Sequence, residues 1–216
     1  MTEDIEIHFI DDLLPGYFWI FPLDNGLANV GAGMIESDLK GINGRKKVNM
    51  KEVTYRIMRE HPMFKERFKN AKEVPGSFHG WLLPLGSKRR QLAGDGWMLL
   101  GDAASLIDPF SGEGIGNGMV SGRLAAKIAT KALAKRDVSR ATLTEYETLL
   151  WDQIAHELDM SYKLQKLGRH KWLLNLVIRR AATKPKVREL ISDMLADREK
   201  KEALGKWGFY VKLLFA

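Results

Sequence analysis

The first part of the chain alternates apolar and polar residues with a period of two, which predicts β-strands. One strand is expected over residues 5–9 and an aromatic one over residues 17–22, with a returning strand over residues 27–34 after an Asp-Asn-Gly turn. Gly31 and Gly33 fall on one face of the returning strand, where they leave space for a ligand or another backbone. The pattern therefore predicts a hairpin whose side-chain-free face lies beside aromatic residues.

Farther along the chain, a period near 3.6 residues predominates and predicts helices. A second strand region is expected over residues 74–85 and a short buried one over residues 97–100. Helices are expected over residues 47–70, with a break at His61-Pro62, and over residues 114–135, 142–167, 171–181, 185–197 and 200–215. We therefore expect an α+β fold with three parts: a β-rich part over residues 1–90, a strand, glycine loop and helix over 91–137, and a helical region over 138–216.

Composition excludes several classes of site. The 216 residues can bury one sizeable core, or a core and a smaller appendage. The absence of cysteine excludes disulfides, thiolate metal sites and cysteine nucleophiles, and the five histidines show no ligand spacing, so we expect no metal site. No apolar run approaches the roughly 20 residues of a spanning helix, and the N-terminus lacks the apolar core of a signal peptide. We expect a cytoplasmic protein, at most peripheral at the inner membrane surface.

Positive charge is concentrated near the C-terminal end. The net charge is +7, and residues 161–188 carry nine Lys or Arg and no acid. Such a stretch suits an anionic lipid surface or nucleic acid, and it equally suits a solvated helix face. The segment 207–215 combines Trp and Tyr with lysines, which suits either a membrane interface or packing on a helix.

A glycine-rich segment follows the strand predicted over residues 97–100. Gly101-Asp102 places a carboxylate at the carboxyl end of that strand, the edge where ligands bind in open α/β sheets. Pro109 then marks a turn, and four alternating glycines over residues 112–118 lead into the helix, so that backbone amides can approach a ligand closely. An acid for sugar hydroxyls beside amides for an anionic group favours a nucleotide cofactor. A plain glycine-rich turn between strand and helix is the alternative.

The segment lacks the dinucleotide fingerprint G-x-G-x-x-G, because Asn117 stands where the third glycine belongs. It resembles the second flavin motif of FAD-dependent oxidoreductases related to p-hydroxybenzoate hydroxylase. That resemblance implies that Asp102 binds ribityl or ribose hydroxyls, that Pro109 lies beside the isoalloxazine, and that the loop amides face its N1/O2 edge. The implied FAD-binding residues are Gly101, Asp102, Pro109, Gly112, Glu113, Gly114, Ile115 and Gly116.

The aromatic hairpin carries a second resemblance. Tyr17-x-Trp19-x-Phe21-Pro22, eight residues, then Gly31-x-Gly33 is similar to the substrate-pocket motif of geranylgeranyl reductases, flavoenzymes that saturate isoprenoid double bonds. In that family the hairpin precedes the flavin motif, as it does here. The resemblance implies a prenyl-lipid substrate and a channel lined by the hairpin. The expected substrate-binding residues are Tyr17, Trp19, Phe21, Pro22, Gly31, Gly33 and Trp81, although an aromatic hairpin is also compatible with a simple core.

Members of this family begin with a strand, a G-x-G-x-x-G turn and a helix that hold the ADP half of FAD, and no such segment precedes Gly101. We therefore expect a truncated or split chain without the N-terminal Rossmann half, whose partner is that missing half and which does not retain FAD on desalting. No residue is singled out as catalytic; Glu113 is a candidate proton donor by position only. The alternatives are a flavin monooxygenase or halogenase, or a non-catalytic lipid- or partner-binding fragment. With a prenyl lipid as substrate, we expect no nucleic-acid partner.

Overall fold

The computed structural model describes residues 3–14, 16–40, 47–185 and 187–189. The chain forms two compact units, Met1–Leu82 and Leu83–Ala216, and each has a hydrophobic core of its own. Helices mix with small sheets, as expected for an α+β protein. The segment expected to bind flavin and the helical region after it lie in the same unit.

The first unit is built on a three-stranded antiparallel sheet of order β1-β2-β3. Asn25 and Gly26 adopt positive φ in the turn between β2 and β3, which Asn and Gly tolerate best. Three helices complete the unit, and the Asn49 side chain accepts hydrogen bonds from the first amides of the longest one. The elements are β1 (Glu6–His8), β2 (Tyr17–Pro22), β3 (Ala28–Gly33), α1 (Glu36–Leu39), α2 (Met50–Glu60) and α3 (Lys65–Phe68).

The two faces of this sheet differ in their surroundings. Phe18 and Ile20 of β2 are buried and pack with side chains of α2 and α3. Tyr17, Trp19 and Phe21 alternate with them and are half-buried on the opposite face. One face of the sheet therefore belongs to the core, and the aromatic motif is on the other.

In β1 the polar side chains, and not the apolar ones, face the core of the unit. Ile7, with Ile5 and Phe9 beside it, is exposed, and the half-buried side chains are Glu6 and His8. Arg67 of α3 donates to both oxygens of Glu6 at 2.7 and 2.6 Å, and the His8 ring meets the edge of Phe64 at 4.8 Å. The ion pair and the ring contact satisfy these polar groups on the core side of the sheet. The apolar residues of β1 therefore lie on the opposite face, where Ile7 is the strand partner of Trp19.

Over its described residues, the second unit combines a short antiparallel hairpin with three helices. Buried residues of α4 and α5 form its core together with Leu92, Ala93, Ala104 and Leu106. The elements are β4 (Ala93–Gly94), β5 (Trp97–Met98), α4 (Ile115–Lys135), α5 (Arg140–Gly168) and α6 (Lys171–Thr183). The predicted helices over residues 114–135, 142–167 and 171–181 are confirmed to within two residues at each end.

The strand expected over residues 74–85 is wrong: the structure has only an isolated parallel bridge between Leu85 and Ile107. Pro75 and Pro84 lack the N–H that a strand ladder needs, and the intervening residues are largely exposed. The buried strand expected over residues 97–100 is reduced to β5, and it is not buried: Trp97, Leu99 and Leu100 are exposed. The helices expected beyond residue 189 and the aromatic segment 207–215 lie outside the described residues.

Candidate functional site

Gly101, which follows β5, adopts a left-handed backbone conformation that glycine favours. Gly101 has a φ of +52°, and a Cβ there would lie 3.5 Å from the Cα of Gly118 in α4. Its amide donates to the Ser121 Oγ at 3.0 Å. The first turns of α4 therefore pack closely against the end of the strand, because both contact residues lack side chains.

A buried tyrosine, Tyr146, forms a hydrogen bond to the backbone directly after β5. The Tyr146 hydroxyl of α5 donates to the carbonyl of Leu99 at 2.8 Å, and the ring is fully buried. Ser121 in turn donates to the carbonyl of Gly118 at 2.9 Å. Burial raises the pKa of Tyr146 to about 12. The sequence signal for this residue is only its place on the apolar face of a predicted helix, which does not distinguish it from ordinary core.

We expect Tyr146 to make the stability of the chain pH-dependent in alkaline solution. Its hydroxyl ionises near 10.0 when unfolded and near 12 when folded, so stability is complete below 10.0 and is lost as pH rises towards 12. The unfolding free energy of the wild type should fall by roughly 2–3 kcal/mol relative to Tyr146→Phe over this interval. Urea unfolding of both proteins measures the difference, in which the other tyrosines cancel. If the difference in unfolding free energy between the two proteins stayed constant between pH 10 and 12, the raised pKa of Tyr146 would be wrong.

The structure brings Asp102 to the glycine loop. A Cβ on Gly114 would lie 3.2 Å from the Asp102 Oδ1 and 3.1 Å from the Ile107 Cγ1, so a larger residue at this position would press on both side chains. Asp102 itself is exposed, and its side chain forms no hydrogen bond or ion pair with any residue that the structure describes. A carboxylate that the fold does not use is therefore held beside the start of α4.

The turn around Pro109 is held by a second acid, which the sequence reading missed. The buried Asp108 Oδ1 accepts hydrogen bonds from the amides of Phe110 and Ser111 at 2.9 and 2.8 Å and from the Ser111 hydroxyl at 3.0 Å. The Gln165 side chain of α5 donates to the carbonyl of Pro109. Asp108 directly precedes Pro109, and Asp-Pro is a turn signal that would have identified it.

The Glu113 side chain caps the first turn of α4. Its Oε1 accepts from the amide of Gly116 at 2.7 Å, an arrangement that favours negative charge at the start of a helix. One of the amides expected to face a flavin edge is thus occupied by the protein itself. The amides of Gly114 and Ile115 have no hydrogen-bond partner within the described part of the chain. Gly112, with a φ of +76°, donates to the carbonyl of Asp108 at 3.0 Å.

Together these residues form a cradle with two polar functions. Asp102 can accept hydrogen bonds from the hydroxyls of a ligand, and the amides of Gly114 and Ile115 can donate to an anionic edge beside the N-terminus of α4. The exposed side chains of Ile115 and Met119 offer apolar contacts next to them. Because a Cβ on Gly114 would fill the space between Ile107 and Asp102, the residues present fit the flavin and ribityl side of an FAD site.

The aromatic hairpin differs from the open groove that its glycines suggested. Trp19 is paired with Gly31, and a Cβ on Gly31 would lie 2.3 Å from the indole Cζ2, so the ring covers that glycine. A Cβ on Gly33 would lie 3.6 Å from the indole. The Trp19 Nε1 donates to the Asn29 Oδ1 at 2.8 Å, which orients the ring. Gly31 therefore allows the indole to lie against the sheet, whereas a side chain at position 33 would not prevent it.

Two aromatic neighbours flank Trp19 on the same face of the sheet. The rings of Tyr17 and Phe21 lie 6.0 and 6.1 Å from the Trp19 ring, and Pro22 follows at the end of β2. Ile7 is paired with Trp19 on the other side and is exposed on the same face. Trp81 is 88% exposed, and the described structure does not bring it against the hairpin. The hairpin thus presents an apolar face without Trp81.

No protein-family model matches the chain. A digeranylgeranylglycerophospholipid reductase of Methanosarcina mazei is 34% identical over 161 residues, which are 74% of this chain and 37% of that protein. Digeranylgeranylglycerophospholipid reductase 2 of Methanopyrus kandleri is 30% identical over 169 residues, 77% of this chain and 41% of that protein. A menaquinone reductase of Mycobacterium tuberculosis is 32% identical over 168 residues, with 77% and 37% covered.

The fold is also similar to that of solved structures. A geranylgeranyl bacteriochlorophyll reductase-like protein of Thermoplasma acidophilum matches with a TM-score of 0.62 and 27% identity, covering 77% of this chain and 39% of that one. The chain therefore spans about two fifths of the length of these relatives. Over the described residues, no helix is long and apolar enough to cross a membrane.

Proposed function

We propose that this chain, a homologue of geranylgeranyl reductases over about three quarters of its length, contributes the flavin-ring side of an FAD site and a prenyl-binding surface to a reductase of isoprenoid double bonds. The family resemblance found in the two motifs is confirmed by these relatives. The observation that carries the proposal is the Asp102 carboxylate, unused by the fold and held beside Gly114 at the start of α4.

The parts of the cradle have distinct proposed roles. Asp102 accepts hydrogen bonds from ribityl or ribose hydroxyls, while the amides of Gly114 and Ile115 and the N-terminus of α4 stabilise negative charge on the ring edge. Pro109, Gly112 and Gly116 shape the loop around the ring. Gly101 allows the close approach of α4. When bound and reduced, the flavin supplies hydride to the double bond.

Glu113 is better supported as a positioning residue than as the proton donor. Its carboxylate already accepts a hydrogen bond from the amide of Gly116 at 2.7 Å, and that contact caps the first turn of α4. We therefore propose that Glu113 fixes the first turn of α4 and leaves the site's other amides in place. The proton that completes the reduction is assigned to no residue.

The hairpin supplies the prenyl-binding surface in this proposal. Tyr17, Trp19 and Phe21 offer contiguous ring faces, and the hydrogen bond to Asn29 keeps the indole in place without a ligand. Contact with such rings removes apolar surface from water at about 25 cal/mol per Å². The names of the relatives favour a prenyl lipid as substrate, and we propose that the protein meets that lipid at the inner membrane surface.

Two other functions have less support. A flavin monooxygenase or halogenase shares the Gly-Asp element, but the relatives described above are named as reductases. A non-catalytic lipid-binding chain would not need Gly101 at positive φ next to the Asp102 carboxylate, which has no partner among the described residues. Flavin binding therefore separates the proposed reductase from that alternative.

A flavin titration tests the proposal. The chain is titrated with riboflavin, FMN and FAD, and quenching of flavin fluorescence is followed to millimolar concentration. Because the described contacts lie on the ring and ribityl side, the three flavins should bind with Kd values within roughly tenfold of one another, a spread of about 1.4 kcal/mol. ADP should not displace riboflavin. The absence of quenching with all three flavins would contradict the proposed site.

A further inference from the structure

Basic residues are concentrated on the last turns of α5, on α6 and just beyond the end of α6. Residues 161–188 contain nine Lys or Arg and no Asp or Glu. The structure describes the side chains of seven of these cations, and six of the seven are exposed. The exposed ones are Lys163, Lys166, Arg169, Arg179, Lys184 and Arg188.

Packing determines which side of α6 faces solvent. Leu173 and Val187 are buried, and Leu167, Leu176 and Val177 pack against them. Trp172 is 58% exposed and Ile178 is 40% exposed. Arg179 follows Trp172 by seven residues, which is two helical turns, so both side chains lie on the same exposed side. The basic surface, defined as the six exposed cations with Trp172 and Ile178, is therefore amphipathic.

We propose that the basic surface binds the face of an anionic phospholipid bilayer. Each Lys or Arg near such a face is worth about 1 kcal/mol, and an exposed Trp beside cations suits the headgroup region. No acid within residues 161–188 opposes this attraction. The choice of a lipid partner rests on the proposed function, because a prenyl-lipid substrate resides in a bilayer. The surface thus holds the chain where its substrate is.

A vesicle sedimentation assay tests this proposal with the full chain. Phosphatidylcholine vesicles with and without phosphatidylglycerol are compared at low and high salt. Binding should require phosphatidylglycerol and should weaken as salt shortens the range of surface electrostatics, which is about 10 Å at 0.1 M. Adding glycerol phosphate should not release the protein, because a free headgroup lacks the multiple charges of a bilayer face.

Matched substitutions locate the surface. Arg179→Glu reverses one charge on it, and Arg90→Glu makes the same change at an exposed residue elsewhere in the same unit. We expect Arg179→Glu to weaken vesicle binding roughly 30-fold, which is about 2 kcal/mol for two charge units, and Arg90→Glu to weaken it far less. Trp172→Ala should also reduce binding, whereas Trp81→Ala, at a residue 88% exposed in the other unit, should not.

Several outcomes would overturn the proposal. Absence of binding to phosphatidylglycerol vesicles would do so, and equal losses in Arg179→Glu and Arg90→Glu would indicate only net charge. Binding to duplex DNA at moderate salt, lost in Arg179→Glu, together with no vesicle binding, would assign the surface to nucleic acid. Flavin titration of the wild type separates the two proposals. If the wild type quenches flavin fluorescence but does not bind vesicles, only the membrane surface is wrong. Arg179→Glu should quench flavin fluorescence as the wild type does. Circular dichroism confirms that each variant is folded.

Discussion

Replacing Asp102 by alanine is expected to weaken flavin binding by about 1–3 kcal/mol, or roughly 5- to 150-fold in Kd. The substitution removes the one carboxylate of the cradle that has no hydrogen-bond partner within the described residues, so the ligand hydroxyls would lose a charged acceptor. Because Asp102 makes no contact that supports the fold, the unfolding free energy should change little. Flavin fluorescence titration and urea unfolding measure the two quantities.

Asp152→Ala is the matched control. Asp152 is an exposed acid on α5, in the same unit, and the variant has the same change in net charge. Its flavin affinity should equal that of the wild type. An equal loss in both variants would indicate a general charge effect, and unchanged affinity in Asp102→Ala would reduce the Gly-Asp element to an ordinary turn.

Replacing Gly31 by alanine is expected to weaken binding of geranylgeraniol roughly tenfold, about 1.4 kcal/mol. The new Cβ would lie 2.3 Å from the Trp19 Cζ2, so the indole must leave the sheet and lose its hydrogen bond to Asn29. The central ring of the prenyl-binding surface would then be displaced. Geranylgeraniol titrations followed by the NMR signal of the Trp19 Nε1–H report both binding and the position of the ring.

Gly33→Ala provides the comparison on the same strand. A Cβ at this position would lie 3.6 Å from the indole, an ordinary contact, so the ring and prenyl binding should be preserved. If both variants bind geranylgeraniol as the wild type does, the hairpin is not a prenyl-binding surface. If Gly31→Ala displaces the indole and binding is unchanged, Trp19 has no part in that surface.

The helices of the second unit and the position of the glycine loop were predictable because their signals are local. The spacing of apolar residues identified α4 and α5 before any tertiary contact was considered. Gly101-Asp102 could be assigned to the end of a strand because a glycine stands on each side of the short apolar run over residues 97–100. The strand over residues 74–85 was mistaken, since apolar residues in an exposed connection resemble those of a strand when Pro75 and Pro84 are given too little weight.

The sequence by itself determined the helices, the hairpin, the glycine loop and the family resemblance, all of which depend on residues close together in the chain. Tertiary structure decided how the polar groups are used. It turned Ile7 outward because Arg67, 61 residues from Glu6, pairs with that acid beneath the sheet. It placed Glu113 on the amide of Gly116 and left Asp102 unpaired, although both carboxylates belong to the same motif. Periodicity specifies which side chains share a face, and only the three-dimensional packing of distant residues specifies which partner each face meets.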